Sequence, residues 1–99
     1  MRLAARTDGN QAEIVKGLRK RGASVQPLHA VGKGCPDLLV GYRGQNYLME
    51  IKDPTKPKRD QYLTKDQVQW HMDWVGRVVV VKSIEDALLE IGIEETGNG

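Results

Sequence analysis

The amino-acid sequence predicts a small α/β domain in which helices flank one mixed β-sheet, with the element order α-β-β-β-α-β-α. Three segments repeat apolar residues at helical spacing, and four short apolar runs bounded by glycine, proline or charged residues predict strands. The 99 residues leave room for one hydrophobic core. We therefore expect residues 1–99 to form a single domain, with its core at about 6–92 and flexible ends.

The first helix is predicted over residues 8–21, with Asp8 or Asn10 as its cap and Gly22 as its end. Its apolar stripe consists of Ile14, Val15 and Leu18. Residues 24–28 then predict a short strand that lies at a sheet edge or ends at its proline.

Two apolar strands follow, over residues 37–42 and 46–52. The short glycine-containing connection at 43–45 joins them into an antiparallel hairpin. Residues 53–62 contain two prolines and charges of both signs, which predicts an exposed loop.

The second half of the chain predicts a helix, a strand and a last helix. Residues 64–67, Thr-Lys-Asp-Gln, form a capping-box pattern that opens a helix running to about Trp74. The four valines at 78–81 predict a strand that is buried on both faces. Ser83 caps a final helix whose apolar face is Ile84, Ala87, Leu88 and Ile91.

The distribution of charge favours an anionic partner. The formal net charge is +2, but residues 83–99 hold five acids and no base, so residues 1–82 carry 15 bases against eight acids, or +7. Nucleic acid is one partner that fits such a surface, and an ordinary solvated surface is the alternative.

Several classes of protein do not fit the sequence. It has no apolar run long enough to span a membrane, no secretory signal pattern at its N-terminus and one cysteine, Cys35. These features predict a cytoplasmic protein without a membrane partner. The phosphate-binding pattern GxxxxGK[ST] is absent, so we expect no nucleotide cofactor.

Three ionisable residues at the predicted hairpin point to chemistry. Side chains alternate along a strand, so Glu50 and Lys52 share one face, and the short turn folds Asp37 back beside them. Two carboxylates this close repel each other unless a cation lies between them, and oxygen ligands suit Mg²⁺ or Mn²⁺. A neighbouring lysine is a common partner of such a metal in phosphodiester hydrolysis. The alternative is a cross-strand or solvated Glu–Lys pair.

The segments Gly34–Leu38, Glu50–Lys52 and Leu63–Trp70 together resemble the PD-(D/E)XK nuclease superfamily, and more narrowly the virus-type replication-repair nuclease (VRR-NUC) domain in its stand-alone phage or bacterial form. The helical segment 10–13 is similar to that family's first motif, and the resemblance covers about residues 6–82. It implies a restriction-endonuclease-like fold and a metal-dependent DNA endonuclease, in a bacterial cell or a phage-infected host.

The resemblance also implies roles for six residues. Asp37, Glu50 and the backbone carbonyl of Ile51 would bind Mg²⁺ or Mn²⁺, and Glu13 would join them directly or through water. Lys52 would act on the attacking water, and Gln67 would support that lysine and the DNA backbone. Glu13 and Gln67 each have a second interpretation, because each lies three residues after a candidate cap and would complete a capping box.

Contacts with DNA are expected from Arg6, Lys33, Lys56, Lys58, Arg59, Lys65 and His71. The loop at 53–62 lacks the compact glycine turn typical of the family, so its basic residues either bind phosphates or keep the loop soluble. Stand-alone members are similar to Holliday-junction resolvases, which implies a homodimer acting on four-way junctions. The alternatives are a flap or general DNA nuclease of the same fold and a non-catalytic DNA-binding module. Trp70 and Trp74 are predicted to pack in the core or at a subunit interface, rather than to stack on bases.

Overall fold

A computed structural model describes residues 9–94 of the chain. Its elements are α1 (Gln11–Lys20), β1 (Ser24–Pro27), β2 (Leu38–Tyr42), β3 (Gln45–Ile51), a 3₁₀ turn (Lys58–Asp60), α2 (Lys65–Asp73), β4 (Val79–Val81) and α3 (Ile84–Glu90). This confirms the predicted fold class and the predicted order of helices and strands. No helix in the described part of the chain is long and apolar enough to cross a membrane. Predictions that concern residues 1–8 and 95–99, including the flexible ends, lie outside the described residues.

The four strands form one mixed sheet in the order β1-β2-β3-β4. β1 pairs with β2 and β2 with β3 in antiparallel fashion, whereas β3 and β4 are parallel. β1 lies at one edge, as predicted from Pro27, because a proline lacks the N–H that a second neighbouring strand would need. The central pair β2–β3 is the part of the sheet that carries the candidate site.

The hairpin turn sets the register of this central pair. It contains two residues, Arg43 and Gly44, both with positive φ (51° and 78°), which is the pattern of a type I′ turn. The prediction had placed three residues in this connection. Tyr42 is opposite Gln45 and Leu38 is opposite Met49, so the residue before β2 lies beside the end of β3.

The hydrophobic core lies between one face of the sheet and the helices α1 and α3. It consists of Ile14, Leu18, Ala23, Leu38, Val40, Met49, Ile51, Val81, Ala87, Leu88 and Ile91, each at most 6% exposed. The helical stripes predicted around Ile14 and Leu88 therefore both face the core. This packing fixes one face of β3. Because side chains alternate along a strand, the residues between the core residues point from the other face, where the candidate site lies.

The opposite face of the sheet is less well covered, and here one prediction was wrong. β4 is not buried on both faces, because Val80 is 41% exposed. The strand is only three residues long and forms the second edge of the sheet, and α2, the helix on that side, contains no buried residue. Trp74, just after α2, is 46% exposed, so it does not pack in the core.

The helix caps confirm two predictions and correct a third. Thr64 and Gln67 form a complete capping box at α2, and the Ser83 hydroxyl accepts a hydrogen bond from Asp86 N at α3. α1 begins at Gln11, and its N-cap residue Asn10 makes no side-chain capping hydrogen bond. The second interpretation of Glu13, as one half of a capping box with Asn10, is therefore wrong.

Candidate active site

The site begins where β2 starts and β3 ends. Asp37, directly before β2, accepts a hydrogen bond at Oδ2 from the backbone N–H of Ile51 at 2.6 Å. Glu50 precedes Ile51 and is 1% exposed, and Lys52 follows it and is 6% exposed. The predicted approach of Asp37 to residues 50–52 is thus present, and the contact runs through the main chain of β3.

Gln67 of α2 joins the two charged side chains of β3. Its Oε1 accepts a hydrogen bond from Lys52 Nζ at 2.8 Å, and its Nε2 donates to Glu50 Oε2 at 2.9 Å. The same Oε1 accepts from Thr64 N at 2.9 Å, which is the side-chain arm of the capping box. Gln67 therefore fits both interpretations from the sequence, since its side chain completes the capping box of α2 and also binds Lys52 and Glu50.

His71 lies one helical turn after Gln67 and faces the same carboxylate. Its Nε2 is 4.0 Å from Glu50 Oε1, and its side chain is 15% exposed. Burial lowers the pKa of the imidazole, and the Lys52 ammonium lowers it further. The ring is therefore predominantly neutral at pH 7, and it lies inside the site rather than on the outer surface of α2.

Cys35, two residues before Asp37, lies within electrostatic range of both carboxylates. Burial raises the pKa of its thiol, and the negative charges of Glu50 and Asp37 both raise it further. The thiolate is thus disfavoured, so Cys35 is a poor nucleophile at neutral pH. We call Asp37, Glu50, Lys52, Gln67 and His71 the candidate site.

A comparison with solved structures identifies the family. One solved structure, described as a VRR_NUC domain, is 30% identical to this chain with a TM-score of 0.56, and the match covers 84% of this chain and 97% of that one. The chain belongs to the VRR-NUC family. It is thus a nuclease domain, and the resemblance seen in the sequence is confirmed. No family model and no curated protein matches the chain.

Glu13 is the predicted site residue of this VRR-NUC domain that the structure does not bring into the cluster. It lies in the first turn of α1 and is exposed. Within residues 9–94, no three His, Cys, Asp or Glu side chains are arranged so that they could hold one metal ion. Its role as an auxiliary acid stays a prediction.

Asn10 is a residue of the site region whose part the sequence did not reveal. Its Nδ2 donates to the backbone carbonyls of Lys82 at 3.0 Å and Lys52 at 3.4 Å. It therefore ties the start of α1 to the chain just after β3 and β4, and fixes the main chain of Lys52. Its position beside a predicted helix start suggested a cap. Nothing local in the sequence indicates a contact with residues 42 and 72 positions away.

Asp53 forms a tight turn directly after Lys52. Its Oδ1 accepts hydrogen bonds from the Thr55 hydroxyl at 2.7 Å and from Thr55 N at 2.9 Å. These two bonds lower the pKa of the Asp53 carboxyl, and the nearby Lys56 lowers it slightly more. The turn starts the 53–62 loop, where residues 54–60 are exposed, as predicted.

Five of the predicted DNA contacts are exposed side chains: Lys33, Lys56, Lys58, Arg59 and Lys65. Lys33 lies in the loop before β2, and Gly34 beside it has φ 84° and abuts the backbone of Asp66 at the start of α2. This close approach sets the loop that carries Lys33 against the first turn of α2, which carries Lys65. His71 belongs to the candidate site instead, and Arg6 lies outside the described residues.

The donor set fits a hard divalent cation. Asp37 uses Oδ2 for its bond to the main chain, and because a carboxylate accepts at both oxygens, Oδ1 is left as a candidate ligand. Glu50 supplies the second carboxylate, from the residue directly before Ile51, whose N–H binds Asp37. Mg²⁺ commonly binds through one or two carboxylates together with waters and substrate phosphates, so this pair is sufficient for such a site.

Proposed function

We propose that this VRR-NUC domain is a metal-dependent, structure-specific DNA endonuclease, and that its substrate is a four-way DNA junction. The observation that carries the proposal is the Gln67 side chain, which holds a buried lysine and a buried glutamate next to a second carboxylate. Burying two charges costs free energy, and a Glu–Lys pair that only formed a salt bridge could do so at the surface without that cost. A reaction at a phosphodiester uses both charges.

Asp37, Glu50 and the carbonyl of Ile51 would hold Mg²⁺ or Mn²⁺ in this proposal. When bound, the ion supplies charge neutralisation at the scissile phosphate and lowers the pKa of a water molecule. The remaining steps belong to the chain itself, and Asp37 and Glu50 are already oriented by Ile51 N and Gln67 Nε2.

Lys52 would place the attacking water and offset the negative charge that develops on the phosphate. An ammonium has three N–H donors, and the bond to Gln67 uses one of them, so two remain for water and phosphate. The bond also fixes the direction of the side chain, which a lysine on an open surface does not have. Preorganised donors of this kind contribute about 10²–10³ in rate.

The exposed bases would neutralise phosphates on either side of the cut. Lys65 is the first residue of α2, two residues before Gln67, and Lys33 precedes the glycine that abuts this turn. The 53–62 loop adds three more basic residues. Such contacts position the DNA without reading its sequence, which suits recognition of a branched shape. A DNA substrate would be met in the cytoplasm of a bacterial cell or a phage-infected host.

A homodimer is part of the proposal, because symmetric cleavage of a four-way junction needs two sites related by a two-fold axis. An apolar groove of about 630 Å³ lies between α2 and the sheet, lined in part by Leu39, Leu48, Trp70 and Trp74. The two indole rings stack at a centroid distance of 4.7 Å, and Val75 beside them is fully exposed. A second copy would cover this apolar surface.

A flap or general DNA nuclease is the alternative function within the same family, and a non-catalytic DNA-binding module is a further one. The experiment is a cleavage assay with labelled four-way junctions, flaps, single strands and linear duplexes, each with Mg²⁺, with Mn²⁺ or with EDTA. Paired cuts on opposing strands of the junction, only with metal, are expected. Cutting of flaps alone would favour the flap nuclease, and DNA binding without any cutting would favour the binding module.

A further inference from the structure

The His71 imidazole is a buried nitrogen base that the proposed reaction does not use. Its Nε2 makes no hydrogen bond to any of residues 9–94, although its own solvent exposure is nearly zero. A buried ring nitrogen without a partner costs free energy, about 1–3 kcal/mol for a neutral group. We therefore ask which hydrogen bond this nitrogen forms when the site is loaded with its ligands.

The Glu50 carboxylate lies close to this nitrogen. Gln67 and His71 are four residues apart on α2, so they present their side chains to the same face. Gln67 Nε2 donates to Oε2 of Glu50 at 2.9 Å, and His71 Nε2 stands 4.0 Å from Oε1. The two oxygens of one carboxylate are thus approached by two side chains of one helix.

The 4.0 Å separation is longer than a hydrogen bond, which has N···O at 2.7–3.2 Å. Closing it needs a movement of about 1 Å, which a small side-chain rotation supplies. Hydrogen bonds in catalytic sites are often long before the ligand is bound and shorten in the complex. Trp70 packs edge-on against the ring at a centroid distance of 6.1 Å and limits the direction in which it can move.

We propose that His71 is a positioning residue that donates its Nε2 proton to Oε1 of Glu50 when the divalent cation binds, so that Gln67 and His71 together fix both oxygens of the metal-binding carboxylate. This inference rests on the proposed metal-dependent function. Carboxylates that bind metals are commonly held by such outer hydrogen bonds, and their loss typically weakens metal binding 10–100-fold. His71 is not proposed as a third metal ligand, because no such cluster exists within residues 9–94.

This role replaces the contact with DNA that the sequence predicted for His71. Its Nε2 faces the Glu50 carboxylate at 4.0 Å, so we assign the ring to that carboxylate rather than to the DNA backbone. The proposal therefore predicts that DNA affinity measured in EDTA does not depend on His71.

The test is a calorimetric titration of Mn²⁺ at pH 8 into the wild-type protein and two variants. His71→Phe keeps a ring of similar size against Trp70 but has no nitrogen, and His71→Gln returns an amide N–H at a similar reach. Met72→Ala, on the exposed side of α2, is the control. We expect a Kd for Mn²⁺ at least tenfold higher for His71→Phe and within about threefold of wild type for His71→Gln and Met72→Ala.

The cleavage rate as a function of Mn²⁺ concentration gives a second readout. The His71→Phe variant should need at least tenfold more Mn²⁺ for half-maximal rate and should approach the wild-type rate at saturation. An unchanged Kd for His71→Phe, or an equal loss in His71→Gln, would overturn the positioning role while leaving the nuclease proposal intact. A wild-type protein that neither binds Mn²⁺ nor cuts DNA would overturn the proposed function itself, and the inference with it.

Nitrogen NMR of the imidazole decides whether Nε2 is a donor. The proposal requires the tautomer with the proton on Nε2 in the Mn-free protein loaded with Mg²⁺. The opposite tautomer, with the proton on Nδ1, would contradict it, because a bare Nε2 cannot donate to Glu50.

Discussion

Replacing Gln67 with methionine tests whether the candidate site is held together by this one side chain. Methionine has a similar length and volume, so it can occupy the same space without the amide. The change removes three hydrogen bonds, to Lys52 Nζ, Glu50 Oε2 and Thr64 N.

The magnitude follows from the partners that lose their bonds. Lys52 and Glu50 are 6% and 1% exposed, so water cannot fully replace the amide at either charge. Hydrogen bonds to charged groups contribute about 1.5–3 kcal/mol each, and the exposed Thr64 N adds little because water reaches it. Allowing for relaxation of the two charges towards each other, we expect a loss of about 2–4 kcal/mol in the free energy of unfolding. For a domain of this size, that corresponds to a melting temperature lower by about 10–25 °C.

The assay is urea denaturation of both proteins in EDTA, followed by circular dichroism. Gln69→Met is the matched control, since Gln69 lies on the same helix but is exposed and bonds only to Asp73 among the contacts described. The control should stay within about 0.5 kcal/mol of wild type. A Gln67→Met protein as stable as its control would refute the view that Gln67 stabilises the buried charges of Lys52 and Glu50.

Four further predictions concern the same region. Lys52→Met should lower the cleavage rate at least about 10³-fold while DNA affinity changes less than about threefold, because many other basic residues contact phosphate. Equal losses in a gel-shift assay and a cleavage assay would show that Lys52 binds DNA and does not act in the reaction. Asp37→Asn and Glu50→Gln should each weaken Mn²⁺ binding in calorimetry by tenfold or more, and unchanged affinities would remove the metal site as proposed. The Cys35 thiol should react with iodoacetamide more slowly than free cysteine at pH 8, because burial and the two carboxylates raise its pKa. The Glu50→Gln variant should react faster than the wild type, and equal rates would show that the Glu50 charge does not act on this thiol. For the proposed dimer, light scattering should give twice the 11.1 kDa monomer mass for the wild type and the monomer mass for Trp74→Lys. A Trp74→Lys dimer would place the interface elsewhere.

Local patterns in the sequence were sufficient for most of the fold and for the centre of the site. The hairpin followed from strand alternation and a short glycine turn, and it alone brings Asp37 to the end of β3. Glu50 and Lys52 share a face because side chains alternate, and the capping-box pattern placed Gln67 at the start of α2. Each of these features depends on residues that are close in the chain or joined by one tight turn.

The features that were missed depend on contacts between distant segments. Asn10 was expected to cap its own helix, but its amide bonds to carbonyls after β3 and β4. Val80 was expected to be buried because four valines in a row suggest a central strand, yet β4 is an edge strand that α2 does not cover. His71 was expected on the surface, since helical spacing gives the direction of a side chain and not the depth at which its helix packs.

The measurement that tests the central claim most directly is single-turnover cleavage of a labelled four-way junction under saturating protein, with the wild type and Lys52→Met compared in Mn²⁺ and in EDTA. The account predicts paired cuts on opposing strands by the wild type in Mn²⁺, no cuts in EDTA, and a rate at least about 10³-fold lower for Lys52→Met at equal junction occupancy. Cleavage by the wild type that persists in EDTA, or a Lys52→Met protein that cuts at the wild-type rate, would contradict it.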